Sequence, residues 1–203
     1  MSKHTMLTAA LALLLPVGVN AQSSSYPATS YDEHQPSVVF FANGGGYSPL
    51  TDLNANGTAS LNTGWSLGGG AGIQANRFVA LRAVFDFGQD KGDAGSTAFA
   101  GQKIRRYFYG GDVQFRYPMA SGFAPYVLAG VGAVTIDPVN DPFLDRFTNL
   151  AGKAGLGAEY NMANGLGLFV QGTSYFYKFD RAGLDKTQAD LLWNAGLSYR
   201  YRL

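Results

Sequence analysis

Charged residues of both signs recur at alternate positions within short apolar segments of the chain. Ion pairing is the chemistry that such residues can do when they share one face of a β-sheet and water is scarce. The cations that lie at these positions are Arg82, Arg106, Arg116, Lys153, Arg200 and Arg202, and the anions are Asp86, Asp112, Glu159 and Asp190. We therefore predict an inward-facing charge network with a modest positive excess.

The spacing of these residues predicts two specific contacts. If the segments that contain them form a hairpin, Arg82 lies opposite Asp112 and Asp86 lies near Arg106. Two roles are open for such a network, because it can fill a narrow interior permanently or rearrange to gate an ion path. If the segments of this chain close into a barrel of eight strands, as the alternation described below predicts, the interior is only just wide enough for side chains to fill, which favours the permanent plug.

Other reactive groups are scarce. The chain has no cysteine, so a thiolate metal site and a catalytic thiol are excluded. His34 is the only histidine after residue 21, and it precedes the first β segment, so we expect no histidine to activate a serine. The glycine clusters lack the Gly-Lys-Ser/Thr ending of a phosphate-binding loop. We predict no catalytic activity, no metal site and no cofactor.

Two features of the connecting segments have binding chemistry. Asp137, Asp141 and Asp145 are spaced by four and can offer oxygen ligands to a divalent cation. Their order is not that of a calcium loop, which favours a solvated acidic loop. Lys103 and Arg105 share the outward parity of Tyr107, where lipopolysaccharide phosphates would lie in an outer membrane. A lipopolysaccharide contact and ordinary loop-base charge are both open for this pair.

The chain divides into three parts. Residues 1–21 have the pattern of a signal peptide, with a basic start and an apolar run from Met6 to Val19 that is shorter than the ~20 residues of a spanning helix. Residues 22–36 are polar and contain two prolines, which predicts a flexible segment. Residues 37–203 form one predicted domain. Loss of Lys3 with the signal peptide leaves no net charge, which argues against nucleic acid as a partner.

From Val38 onward, apolar residues alternate with small or polar residues, which is the period of a β-strand. Eight such segments span approximately Val38–Ser48, Gly64–Gln74, Phe78–Gly88, Lys103–Tyr117, Ala124–Thr135, Leu150–Met162, Gly165–Phe179 and Ala189–Leu203. The connections between them alternate between long and short. The long ones are residues 49–63, 89–102, 136–149 and 180–188. This predicts an up-and-down meander whose long loops all lie at one end.

One face of the predicted sheet is apolar, and the other is rich in glycine and charge. A soluble barrel buries its apolar face, whereas a membrane barrel turns that face to lipid and can hold charges inside. Aromatic residues near both ends of the segments are typical of membrane interfaces. One band is Phe85, Phe87, Tyr107, Tyr109 and Trp193, and the other is Phe115, Tyr117, Tyr199 and Tyr201. The predicted fold is all-β, an eight-stranded antiparallel up-and-down transmembrane β-barrel preceded by a signal peptide.

The fifth and the last segments carry a family resemblance. The fifth contains Pro125-Tyr126-Val127-Leu128-Ala129-Gly130-Val131-Gly132, and the last ends in Leu197-Ser198-Tyr199-Arg200-Tyr201-Arg202-Leu203. With the signal peptide and the eight segments, they resemble the small outer-membrane β-barrel proteins, the group that includes the OmpA-type transmembrane domain. The resemblance implies a bacterial outer-membrane location and recognition of the last segment by the barrel assembly machinery. The implied assembly signal is Leu197, Tyr199, Tyr201 and Leu203, where family members commonly end in Phe or Trp.

Function follows from this resemblance only at the level of the fold. We expect a monomeric, non-catalytic barrel that contacts outer-membrane lipid and lipopolysaccharide. Its expected role is structural, in envelope integrity, or in adhesion through an unknown external loop ligand. A narrow gated porin-like channel is the first alternative. A soluble lipocalin-like carrier, which also has eight strands but buries its apolar face, is the second.

Overall fold

The part of the chain that the structure describes is built from eight β-strands. The computed structural model describes residues 36–51, 62–91, 101–139, 145–181 and 184–203, so the predicted signal peptide and nearly all of the predicted flexible segment lie outside it. The strands are β1 (Ser37–Pro49), β2 (Gly64–Gln74), β3 (Val79–Lys91), β4 (Lys103–Arg116), β5 (Phe123–Pro138), β6 (Phe147–Asn161), β7 (Leu166–Arg181) and β8 (Leu184–Arg202). No helix within these ranges is long and apolar enough to cross a membrane.

The strands form one closed antiparallel barrel in chain order. Each strand pairs with its neighbours along the chain, and β1 also pairs with β8, from Ser37 opposite Arg202 to Pro49 opposite Asp190. Closure gives the backbone N–H and C=O groups at both edges of the sheet a hydrogen-bonding partner. Such partners are required inside a membrane, because the hydrocarbon contains no water to which these groups could bond. The predicted eight-stranded up-and-down barrel is confirmed.

The apolar face of the sheet points outward. Leu81, Phe115 and Leu197 are 55%, 54% and 57% exposed on the outer surface, whereas Arg82 and Asp112 are buried inside. Neighbouring residues point to opposite faces because a β-strand has a side-chain period of two. This orientation is the reverse of that of a soluble carrier, so the lipocalin-like alternative does not fit.

Aromatic side chains mark the borders of this apolar surface. At the external end, where the long connections lie, the rings of Trp65, Phe87 and Tyr107 form a row with centroids 5.2 and 5.3 Å apart. Tyr117 lies at the opposite, periplasmic end, ten residues from Tyr107. Ten residues span ~34 Å along a strand and ~26 Å across the membrane at a tilt of ~40°. This height matches the ~25 Å apolar band of outer-membrane barrels.

Several strands run further toward the external end than the sequence pattern predicts. β3 continues to Lys91, β5 continues to Pro138, and β6 begins at Phe147. The long connection predicted at residues 180–188 is wrong, because β7 and β8 stay paired as far as Arg181 opposite Leu184. The prediction placed the strand ends where polar residues interrupt the alternation of apolar residues. Polar residues still form the backbone hydrogen bonds between β7 and β8, so the pairing continues past that point.

The inside–outside pattern reverses at the external end. Beyond the aromatic row, β4 turns Arg105 and Lys103 outward and buries Ile104 inside the barrel. Ile136 of β5 and Phe147 of β6 are buried in the same way. Apolar side chains turn inward where the surroundings are water rather than lipid. The reversal therefore indicates that the strand ends extend beyond the hydrocarbon layer.

The turns at the periplasmic end are short, as predicted. Gly122 and Gly165 adopt φ angles of 83° and 85°. Glycine reaches this left-handed conformation without the steric cost of a side chain. In the β6–β7 turn, the Asn164 side chain also accepts a hydrogen bond from the Leu166 amide at 3.1 Å.

Candidate functional site

All eight residues of the predicted lumen network lie inside the barrel, and none is more than 8% exposed. They are Arg82, Asp86, Arg106, Asp112, Arg116, Lys153, Glu159 and Arg200. Their strands are β3, β4, β6 and β8, which place these side chains on the inward face. Their contacts divide into three levels along the barrel axis, which we call the middle, external and periplasmic levels.

The middle level is an aspartate held between two cations. Arg82 Nε and Nη2 donate to the two Asp112 oxygens at 2.8 and 3.1 Å, and Lys153 Nζ donates to Asp112 Oδ2 at 2.7 Å. Arg82 lies directly opposite Asp112 in the β3–β4 register, so this predicted contact is present. Gly130 separates Asp112 from Lys153 in the ladder. Its missing side chain leaves room for the aspartate, because a Cβ there would lie 2.7 Å from Asp112 Cβ.

The predicted contact between Asp86 and Arg106 is absent. In the β3–β4 register Gly88 lies opposite Arg106, so Asp86 and Asp90 flank the arginine on either side. Arg106 Nη1 lies 2.8 Å from Asp90 Oδ2, whereas Asp86 accepts a hydrogen bond from Tyr175 Oη at 2.6 Å. Asp90 was missed because the predicted third strand ends at Gly88, although β3 continues with the same inward parity.

The external level comprises Asp86, Asp90, Asp190 and Arg106. Arg106 Nε lies 3.7 Å from Asp190 Oδ2, which also accepts a hydrogen bond from Tyr177 Oη at 2.7 Å. The Arg106 guanidinium lies over the Tyr47 ring, 4.9 Å from its centre. Cation–π and ion-pair contacts thus hold one arginine between two aspartates and a tyrosine.

The periplasmic level is a glutamate held between two arginines. Arg116 Nη2 lies 2.8 Å from Glu159 Oε2, and Arg200 and Ser198 both donate to the same carboxylate. Gln74 Oε1 accepts hydrogen bonds from Arg116 Nη1 at 2.7 Å and from Arg200 Nε at 3.0 Å. These side chains come from β2, β4, β6 and β8, so the level reaches across the lumen.

The interior charge is balanced rather than positive. Arg202 is exposed at the end of β8 and does not belong to the interior, whereas Asp90 adds a buried anion. Among the residues that the structure describes, five cations and five anions are buried. The external level holds three aspartates for one arginine, and each of the other levels holds two cations for one carboxylate. The described lumen residues are therefore neutral in total, negative toward the outside and positive toward the periplasm.

An apolar cluster fills the lumen at the external end. The rings of Phe108 and Tyr175 stack with centroids 4.1 Å apart, and Tyr47 lies beside Phe108 at 6.4 Å. The other members of the cluster are Ile104, Val134, Ile136, Phe147, Ala151, Tyr177 and Leu192. The sequence pattern did not predict this apolar plug, because the inward face was expected to be rich in glycine and charge.

Little space is left between these side chains. A void beside Arg82, Tyr126 and Phe169 leaves about 20 Å³ for the centres of water molecules. That volume is room for one or two waters.

The remaining predicted site residues lie on the outer surface or outside the described residues. Lys103 is exposed and Arg105 is half-buried at the external end of β4. The residues of the predicted assembly signal are exposed along β8 and its end: Leu197, Tyr199, Tyr201 and Leu203.

Of the three spaced aspartates, Asp137 and Asp145 are described, whereas Asp141 lies outside the described residues, as does His34. Within the described ranges, no group of three acidic or histidine side chains is placed to hold a metal ion.

A closed antiparallel barrel with an apolar exterior, aromatic borders and paired charges inside defines a transmembrane β-barrel protein. The chain belongs to the outer membrane protein β-barrel domain family, whose model matches residues 8–201. Membership in this family indicates a bacterial outer-membrane location. No curated protein matches the chain.

Solved structures of outer-membrane proteins share the fold. Neisserial surface protein A (NspA) is 14% identical with a TM-score of 0.56, and the match covers 81% of this chain and 97% of NspA. The N-terminal β-barrel domain of Pseudomonas aeruginosa OprF is 18% identical with a TM-score of 0.50, covering 82% and 98%. OprG from Pseudomonas aeruginosa is 17% identical with a TM-score of 0.51, covering 84% and 99%. At these identities the likeness concerns the fold alone.

Proposed function

We propose that this protein is a closed, non-conducting barrel that strengthens the outer membrane and holds its external segments as an adhesive or interacting surface. The observation that carries the proposal is the filled lumen. Paired charges cross it at three levels, and the apolar plug closes it at the external end. An ion path would have to separate buried ion pairs and also open an apolar cluster, each of which costs several kcal/mol.

The external strand ends support an interaction role. They extend beyond the aromatic row, turn polar side chains outward, and are held together by the apolar plug. This makes them a rigid base for the segments at residues 52–61, 92–100 and 140–144. Binding residues concentrate on loops that a rigid scaffold positions. The ligand of these segments would be a molecule on a host surface, another cell or another external surface.

The proposal includes export, assembly and oligomeric state. Export would use the predicted signal peptide, and the barrel assembly machinery would recognise the exposed residues at the end of β8. A monomer is supported by the closed sheet, because closure leaves no barrel strand in need of a partner from a second chain. We propose no catalytic role and no cofactor.

Conductance in planar lipid bilayers tests the closed lumen. The wild-type barrel is expected to show no stable openings. Phe108→Ala, which removes a ring from the apolar plug, should produce brief small openings, whereas the outward control Leu81→Ala should produce none. Large stable openings of the wild-type protein would replace this proposal with the gated channel.

Complementation tests the external role. A strain that lacks the protein would be supplied with the wild-type chain or with a chain whose residues 52–61, 92–100 and 140–144 are replaced by Gly/Ser segments of equal length. Detergent resistance should depend on the barrel and survive the replacement, whereas adhesion should be lost. If the strain that lacks the protein changes in neither property, the proposed role is wrong.

A further inference from the structure

Cations gather on the outer surface at the external ends of β3 to β6. Lys91 and Lys103 lie directly opposite each other across β3 and β4. Arg105 follows on the same outward face, and the Arg146 guanidinium lies over the Tyr107 ring, 5.2 Å from its centre. Like charges directly opposite each other are unfavourable in a sheet unless an anion covers them. We call the group of Lys91, Lys103, Arg105 and Arg146 the cationic face.

Within the described part of the chain, no carboxylate forms an ion pair with the cationic face. The six ion pairs described above join residues of the lumen, and none of them includes Lys91, Lys103, Arg105 or Arg146. Two carboxylates are close in the fold, because Asp137 lies opposite Arg105 in the β4–β5 register and Asp145 precedes Arg146 in the chain. When both are counted, the described residues at the cationic face keep an excess of two positive charges.

The depth of the cationic face in the membrane indicates which anions can reach it. Tyr107 marks the border of the hydrocarbon, where interfacial aromatic residues sit. Arg105 and Lys103 follow it along β4 at ~7 and ~14 Å, which a tilt of ~40° converts to ~5 and ~10 Å above that border. Polar headgroups occupy this layer. The anions available there in an outer leaflet are lipid phosphates.

Polar and apolar groups continue the surface below the cations. Tyr109 Oη and Thr148 Oγ1 lie 3.1 and 2.8 Å from Thr135 Oγ1 and form a hydroxyl row on the outer face, in which Tyr109 and Thr148 are exposed and Thr135, at 3% exposure, lies beneath them. Next to it, toward the membrane centre, Val131 and Leu150 are 70% and 82% exposed and form an apolar lane. Hydroxyl groups suit the hydroxyls of a sugar, and an apolar lane suits an acyl chain.

We infer that this surface binds a phosphorylated glycolipid of the outer leaflet. Its phosphates lie on the cationic face, its sugar lies beside the hydroxyl row, and an acyl chain follows the apolar lane. The inference rests on the proposed membrane orientation of the barrel. A phosphate shared by Lys91 and Lys103 also explains why two lysines lie opposite each other. Lipid held in this way would join the barrel to its leaflet, which is consistent with a role in envelope integrity.

The test uses the full chain refolded into phosphatidylcholine vesicles that contain lipopolysaccharide as the probe. One variant removes two charges from the cationic face, Lys103→Gln with Arg146→Gln. The matched control removes two exposed charges at the periplasmic end, Arg77→Gln with Arg202→Gln. Arg77 is a close match for Arg146 because it also lies over an aromatic ring, 4.5 Å from the centre of Phe78. The readout is the lipopolysaccharide that stays with the barrel after detergent extraction and size-exclusion chromatography.

The cationic-face variant is expected to retain lipopolysaccharide about thirty-fold less than wild type, because it lacks two surface cations and each contributes about 1 kcal/mol to anionic lipid binding. The control should retain it fully, and dephosphorylated lipopolysaccharide should bind wild type as weakly as the variant. Equal retention by the variant and wild type would overturn the inference. Displacement of lipopolysaccharide by millimolar inorganic phosphate would also overturn it, since the site would then bind a free anion.

Two further readouts on the same samples separate this inference from the proposed function. Gel mobility before and after boiling reports folding of each variant, and bilayer conductance reports the closed lumen. Unchanged retention in a folded, closed barrel would remove the glycolipid site and leave the closed barrel standing. Conductance by the wild type would contradict the closed barrel whether or not lipopolysaccharide is retained.

Discussion

Asp112 carries the negative charge that two buried cations share. Asp112→Asn leaves Arg82 and Lys153 inside the lumen without their carboxylate. We expect the free energy of unfolding to fall by about 3–5 kcal/mol, as it does when one partner of a buried ion pair is removed. Urea unfolding of the barrel in lipid vesicles measures the change. Asp137→Asn on the outer surface is the control and should shift stability by no more than ~0.5 kcal/mol. Equal losses in the two variants would argue against the buried network.

Two glycines of β6 provide a second comparison at the residue scale. A Cβ at Gly157 would lie 2.6 Å from the Tyr126 ring and 2.6 Å from the Val170 carbonyl oxygen, whereas the nearest atom to a Cβ at Gly152 is 4.0 Å away. We expect Gly157→Ala to destabilise the barrel by about 1–3 kcal/mol through overpacking. Gly152→Ala should be neutral or stabilising by up to ~1 kcal/mol. The same urea assay applies, and equal tolerance of both changes would mean that Tyr126 can move aside at little cost.

At the scale of elements, the end of β8 contributes to barrel closure and is also the place of the proposed assembly signal. Tyr201 lies opposite Val38, and the Leu203 amide donates to the Pro36 carbonyl at 3.2 Å, so this end helps to close the barrel. Removing residues 201–203 should lower the amount of folded barrel in cells several-fold and leave refolding of the purified chain in lipid nearly unchanged. The readout in both settings is gel mobility with and without boiling.

Leu203→Phe serves as the companion to that truncation. Because the small outer-membrane β-barrel proteins that this chain resembles commonly end in Phe or Trp, this variant should assemble in cells at least as well as wild type. If the truncation instead impairs refolding of the purified chain as much as assembly in cells, residues 201–203 act in barrel closure alone.

At the scale of the whole molecule, closure makes unfolding a single event. Each strand pairs on both sides, and removing one strand would leave unpaired backbone groups on two neighbours. We therefore expect the folded barrel to resist sodium dodecyl sulfate at room temperature and to change its gel mobility only after heating. Asp112→Asn should lose the shift at a lower temperature than wild type. Identical mobility of heated and unheated wild-type samples would contradict the closed barrel.

Much of the site could be predicted because the period of a strand is local. Arg82 and Asp112 were placed on the inward face and opposite each other from parity and hairpin geometry alone. The prediction that Asp86 contacts Arg106 was wrong, because Asp86 and Asp90 both lie diagonal to Arg106. Which of the two aspartates pairs with the arginine depends on Tyr175, which is far away in the chain and binds Asp86.

The sequence by itself determined the class of fold, the number of strands and the orientation of the sheet, since alternation within each strand specifies which side chains face lipid. Only the tertiary structure decided which anions pair with Arg106, that Asp90 rather than Arg202 belongs to the interior, and that an apolar cluster packs beside the charges of the external level. These features depend on the register between strands and on the height at which each strand leaves the membrane. Both are relations between residues that are far apart in the chain, so they cannot be read from the alternation of residues within one segment.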